Sequence, residues 1–174
     1  RIKYDYSGNK KYNDYSLKIA VESFELYSNL LKSFSIIVLT TVVTIASGIT
    51  KIPEYAFSGC TNLVSVNLPN TVISIEKAAF QNCEKLTTLT LPGNLTSIGA
   101  YAFNGCKSLP SSALNLSNSI TSIGIAAFQG CDSLTYITLP NSLTTLSSDL
   151  FNSCDNLKVI EVPSSVTAIT SSFA

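Results

Sequence analysis

The chain has 174 residues, 45% of them hydrophobic and only 13% charged, a composition that supplies one substantial core and excludes intrinsic disorder. Eleven basic and eleven acidic side chains cancel, so no net field draws the molecule to nucleic acid or to an anionic membrane. Histidine is absent, which removes the commonest catalytic base and metal ligand.

The first segment differs from the rest. Arg1, Lys3, Lys10, Lys11, Lys18 and Lys32 place six of the eleven cations in the first 35 residues, among five of the eight tyrosines. The opening "RIKYDYSGNKKYNDYS" has no early apolar run and no small-residue cleavage site, so it is not a secretory signal. A start at arginine in a chain without methionine reads as a mature or excised fragment. From Leu17 to Phe34, the residues Ala20, Phe24, Tyr27, Leu31 and Phe34 recur at spacings of four, three, four and three. That is the pattern of an amphipathic helix, here predicted to cap the first coil of a repeat array, so 1–33 reads as a tyrosine-rich segment with a capping helix. The run "SIIVLTTVVTIA", Ser35 to Ala46, is too short for a membrane helix, which needs about 20 residues, and reads as core.

Beyond it the chain repeats. Phe57, Phe80, Phe103, Phe128 and Phe151 stand at steps of 23, 23, 25 and 23. Cys60, Cys83, Cys106, Cys131 and Cys154 follow each phenylalanine by three, and Leu63, Leu86, Leu109, Leu134 and Leu157 keep the same steps. The step of 25 comes from two extra residues within "PSSA", Pro110 to Ala113. Stepping back 23 from Phe57 reaches Phe34, so the apolar run is a degenerate first coil and 34–174 reads as about six coils. "AITSSFA" begins another phenylalanine turn one residue out of step, so the carboxyl end looks truncated.

A fixed period of this length predicts a solenoid. Within each unit the pair Val66 and Leu68 alternates as a strand does, and stacked coils join such strands into a parallel ladder at about 4.8 Å. Pro69, Pro92, Pro140 and Pro163 have no N–H to donate and end each strand. A second apolar pair such as Leu95 and Ile98 follows, then a glycine turn at Gly99 and Gly124, then the buried phenylalanine. Outward strand positions form one face: Ser65 and Asn67, Thr88 and Thr90, Ala113 and Asn115, Tyr136 and Thr138, Val159 and Glu161. Of these Ser65, Asn67, Thr88, Thr90, Asn115, Tyr136, Thr138 and Glu161 are the candidate binding residues, with Tyr136 the one aromatic.

Catalytic and metal chemistry find little support. Stacked cysteines point in parallel, which suits neither a disulfide nor the four converging ligands of zinc, and no histidine is present to activate a thiol. Each cysteine therefore reads as a small buried hydrophobe. Glu76, Glu84, Asp132, Asp149, Asp155 and Glu161 form no recurring pair and read as solvated surface. No GxGxxG or GxxxxGK[ST] loop occurs. The expectation is no enzyme, no cofactor and no metal. Asn94 and Asn115 head N-x-[ST] sequons, possible glycosylation sites in a eukaryotic secretory pathway.

The unit "LTTLTLPGNLTSIGAYAFNGCKS", Leu86 to Ser108, resembles the BspA-type leucine-rich repeat. The resemblance implies an α/β solenoid, a leucine-rich-repeat horseshoe with a parallel sheet on its concave face and irregular loops or short helical turns on the convex side. It also implies a non-catalytic binding module at the cell surface or secreted, attaching to a host, extracellular-matrix or other cell-surface protein. The alternative is a cytoplasmic scaffold that uses the same solenoid for protein assembly. Nucleic acid and direct membrane insertion are not expected.

Overall fold

The computed structural model describes residues 41–170, together with the backbone of two short strands, β1 (Lys3–Asp5) and β2 (Lys18–Ala20). These two pair antiparallel, with Lys3 opposite Ala20 and Asp5 opposite Lys18. This corrects the predicted capping helix where it can be compared. Tyr4 and Ile19, aromatic and β-branched, favour extended backbone, and pairing with a distant strand outweighs the three-four spacing. The rest of the predicted helix, Leu17 and 21–34, lies outside the described residues, as does Phe173.

From Val42 onward each coil but the fourth contributes a three-residue strand and every coil a two-residue strand, and in the first five a turn that carries the phenylalanine follows. The longer strands are β3 (Val42–Thr44), β5 (Ser65–Asn67), β7 (Thr88–Thr90), β10 (Tyr136–Thr138) and β12 (Val159–Glu161). The shorter are β4 (Lys51–Ile52), β6 (Ser74–Ile75), β8 (Ser97–Ile98), β9 (Ser122–Ile123), β11 (Thr145–Leu146) and β13 (Ala168–Ile169). All pair parallel and in register at the repeat step, for example Val66 with Leu89 and Ile75 with Ile98. The second ladder is not predicted from the sequence, where its apolar residues are recognisable but their pairing is not.

Each prolyl or equivalent residue starts a tight turn between the two ladders. The Leu95 N–H donates to the Pro92 carbonyl at 3.1 Å, and in the fourth coil, where serine replaces proline, the Ile120 N–H reaches the Ser117 carbonyl at the same distance. Inward positions stack into columns: Val43, Val66, Leu89, Leu114 and Ile137 in one, Ile52, Ile75, Ile98, Ile123 and Leu146 in another, all buried. In the last described coil the equivalent Ile169 is 58% exposed, because no described coil lies above it.

The turns are not helical, which corrects the expectation of short helical turns on the outer side. Tyr55, Ala78, Tyr101, Ala126 and Asp149 have φ of 57°, 53°, 58°, 52° and 56°, left-handed at each of the five described corners. Four residues later Gly59, Asn82, Gly105, Gly130 and Ser153 are left-handed again, so no helix can propagate. This conformation aims alternate N–H groups along the solenoid. Those of Tyr55, Phe57 and Gly59 donate to Lys77, Ala79 and Gln81 of the next coil at 2.9, 2.7 and 2.7 Å. The N–H groups between them, of Ala56, Ser58 and Cys60, close i-to-i+3 turns onto Pro53, Tyr55 and Phe57. Every donor from 55 to 60 is thus satisfied, as the buried Ala56, Phe57 and Cys60 of the corner require.

Among the described residues one helical turn does occur, of 3-10 type, at Ser111–Ala113. It stands on the sheet side and replaces the strand of the fourth coil, where the two extra residues enter. The ion pair between Lys107 and Glu84, 3.1 Å with both ends about half exposed, adds little to the fold.

Candidate functional site

Phenylalanine rings form an unbroken interior column. Successive centroids from Phe57 to Phe151 lie 5.1, 5.4, 5.7 and 5.9 Å apart with interplanar angles of 9° or less. Beside them runs the cysteine column, free and buried throughout. The thiols do more than fill space: Cys83, Cys106, Cys131 and Cys154 each donate through Sγ to the carbonyl of the phenylalanine one coil back, Phe57, Phe80, Phe103 and Phe128, at 3.0–3.2 Å. The same carbonyl takes the N–H of its own coil's cysteine, so both lone pairs are used.

Desolvation disfavours a buried thiolate. It lifts Cys60 and Cys154 from the ordinary 9.0 to about 11 and holds Cys83, Cys106 and Cys131 well above that ordinary value. A reactive thiol needs the opposite shift. The column is therefore expected to resist a maleimide under native conditions, with five equivalents taken up after denaturation; rapid labelling of one cysteine in the folded protein would restore a reactive role. These shifts carry a pH dependence. Below about pH 9 folded and unfolded thiols are both protonated and contribute no slope. From pH 9 to about 11 the unfolded chain releases protons that the folded chain retains, so stability falls as pH rises. Denaturant midpoints measured across that range test the sign.

Among the described residues no three cysteines or carboxylates lie close enough to share a metal ion. No described helix is long and apolar enough to cross a membrane.

The face proposed for binding is made by the outward side chains of the three-residue strands. Asn67, Thr88, Thr90, Asn115, Thr138 and Glu161 are exposed, Ser65 is half-buried, and Tyr136 is 53% exposed beside its register partner Val159. Thr138 Oγ1 donates to Glu161 Oε2 at 2.9 Å, and Asn67 Nδ2 reaches Thr44 Oγ1 at 3.4 Å, so like columns hydrogen-bond across coils. The row is not continuous. Ala113, read as outward, is buried inside the 3-10 turn, and Asn115 follows on irregular chain, because the insertion rotates this strand out of the ladder. At the sequons Asn115 is exposed, whereas Asn94, also exposed, uses its side-chain amide to donate to the Asn70 carbonyl at 2.7 Å.

Sequence reasoning missed the outer corner. Tyr55 and Tyr101 are exposed there, and Lys77 Nζ stands 5.8 Å from the centroid of the Tyr55 ring. A signal existed: the two tyrosines occupy one repeat position, alternating with Ala78 and Ala126.

Comparison with known families gives a match to the BspA-type leucine-rich repeat region, in six copies over residues 31–115 and 110–174. Among solved structures, a leucine-rich repeat protein of T. pallidum is 25% identical, with a TM-score of 0.73 over 97% of this chain and 82% of its own. One from Bacteroides ovatus is 28% identical with a TM-score of 0.68, over 95% of this chain and 40% of its own. The pneumococcal vaccine antigen PcpA, 23% identical, shares the fold with a TM-score of 0.63 over 77% of this chain and 32% of its own. No curated protein matches the chain in sequence.

Proposed function

The chain belongs to the BspA-type leucine-rich repeat family, and from that premise we propose a non-catalytic protein-binding module that engages its partner on the three-residue ladder. The observation that carries this reading is the character of that face: polar, almost uncharged and built on rigid strands, with Tyr136 projecting from it. Six coils at the ladder spacing extend roughly 25 to 30 Å, enough for the roughly 800 Å² per partner of an ordinary interface. Tyrosine supplies contact area at small entropic cost and is enriched at interface hot spots. Ser65, Asn67, Thr88, Thr90, Asn115, Thr138 and Glu161 supply the hydrogen-bonding surround.

Display at the cell surface or secretion, with attachment to a host or extracellular-matrix protein, is the biological setting we infer from the family. Immobilised chain titrated with purified matrix proteins tests it. A partner bound by the wild type should bind Tyr136→Ala at least tenfold more weakly, while Tyr101→Ala, on the outer corner, keeps full affinity. Equal capture by both variants moves the site off the ladder. The five free thiols favour a second reading, a scaffold in a reducing compartment. Antibody staining of intact against permeabilised cells separates the two: staining of intact cells supports display, and staining after permeabilisation alone supports the scaffold.

A further inference from the structure

The coils do not all join in the same way. The junctions between the first and second coils, the second and third, and the fifth and sixth carry strand pairing on both ladders. The junction of the third and fourth keeps one pair, β8 with β9. Between the fourth and fifth no strand pairs at all: the 3-10 turn interrupts one ladder, and β9 and β11 belong to separate sheets.

Side chains replace the missing backbone bonds at that junction. Ser111 Oγ accepts the N–H groups of Thr135 and Tyr136 at 2.9 and 3.1 Å, which elsewhere is the work of a backbone carbonyl, as when Val64 accepts Thr87 and Thr88. Asn118 Oδ1 accepts the Asn141 N–H at 2.8 Å. Ser147 Oγ donates to the Ile123 carbonyl at 2.6 Å, where Gly124 uses its own N–H on Ile98. The bond from Ser142 Oγ to the Ile120 carbonyl is not special to this junction, since Thr71 and Ser165 make it at fully paired ones. The outer corner alone stays backbone-to-backbone. Ala126, Phe128 and Gly130 donate to Ser148, Leu150 and Asn152 at 3.0, 3.1 and 2.9 Å, and Phe128 stacks on Phe151.

We propose that this junction is a hinge: residues 135–170 swing as one body about the phenylalanine-cysteine corner, parting the solenoid between Asn115 and Tyr136. Side-chain hydroxyls and amides can exchange partners with water by rotating, whereas a ladder must break several backbone bonds together. Each body is internally laced, the first by β3-β5-β7 and β4-β6-β8-β9, the second by β10-β12 and β11-β13. Opening uncovers Leu114, Ile120 and Ile123 on one side and Ile137, Leu143 and Leu146 on the other, all buried when closed, so the open form is a minor state. The hinge crosses the binding face, so a partner spanning Thr90 and Tyr136 would hold it shut.

Native-state amide exchange on the full chain reads this minor state. The amides of Thr135, Tyr136 and Asn141 should exchange at least tenfold faster than those of Thr87 and Thr88, whose residues are equally exposed. Lys158 and Leu139, bonded within the second body to Thr135 and Glu161, should stay as protected as Thr87. A short bis-maleimide joining Asn118→Cys to Asn141→Cys, with the native thiols buried, should slow the Thr135 and Tyr136 amides to the rate of the other coils; the Asn141 amide is left out of this arm because Asn118→Cys removes its acceptor. Uniform exchange along the solenoid, or junction rates that ignore the cross-link, would overturn the hinge. Loss of protection at Lys158 and Leu139 along with Thr135 would overturn it too, because the second body would then be fraying and not swinging.

Discussion

Replacing Phe103 by alanine should lower stability by roughly 3–5 kcal/mol, the cost of emptying a ring-sized volume from a packed core. The side chain is fully buried and stacked on both sides, 5.4 Å from Phe80 and 5.7 Å from Phe128. Its loss therefore opens the middle of the column, where neither neighbour can close the gap without leaving the hydrogen bonds that fix its own corner. Those bonds run from the Phe80 and Phe128 N–H groups to the Ala102 and Leu150 carbonyls at 2.8 and 3.1 Å. Whole-domain stabilities are usually about 5–15 kcal/mol, so the variant forfeits a large share. Thr90→Ala, an exposed change on the ladder, should stay within about 0.5 kcal/mol. Urea unfolding of the two variants beside the wild type measures both, and equal midpoints would contradict the inward and outward assignment. Because each coil touches only its neighbours, the transition of Phe103→Ala is also expected to broaden as the two halves lose their coupling.

How much of this was legible depended on whether a residue's role was set by its own chemistry or by its neighbour's backbone. The Phe, Cys and Leu columns follow from period alone, since a strict step of 23 puts like over like. The length of the fourth coil was legible too, from "PSSA", but not its result. That two extra residues would turn Ala113 inward, and recruit Ser111 as the acceptor for the next coil, depends on where the carbonyls point. The burial of the cysteines follows from the period, yet their bond to the preceding phenylalanine carbonyl leaves no trace in spacing, because any small residue would keep the same register. The helix predicted over Leu17–Phe34 failed at Lys18–Ala20 because periodicity sees one segment at a time and β2 is made by a partner at Lys3–Asp5. Of the candidate binding face, the sequence specified which residues face outward on intact strands and misplaced only the coil with the insertion.

Gly124 exposes the same limit and supplies the second large effect. A glycine in a loop suggests left-handed backbone, and both Gly99 and Gly124 read as turn residues. Neither has a positive φ; that conformation falls to Gly48, Gly59, Gly105 and Gly130 among the described glycines. What Gly124 provides is room. A β-carbon built there would overlap the backbone of Gly99 and Ala100 in the coil below, and one at Gly99 would lie 2.6 Å from Glu76 C and Lys77 N. Backbone cannot step aside as a side-chain tip can, so Gly124→Ala should cost roughly 1–3 kcal/mol through forced separation of the coils. It should also weaken the 2.8 Å bond from the Gly124 N–H to the Ile98 carbonyl, which exchange at that amide would register. Gly93→Ala is the matched control: no atom lies within 4 Å of its β-carbon and its φ is not positive, so stability should hold or rise by about 0.4–1 kcal/mol as the unfolded chain loses freedom. Opposite signs from the same substitution in the same fold would separate a glycine that permits contact from one that only links strands. If Gly124→Ala proved as harmless as Gly93→Ala, the third and fourth coils would have to sit farther apart than the β8–β9 pairing allows.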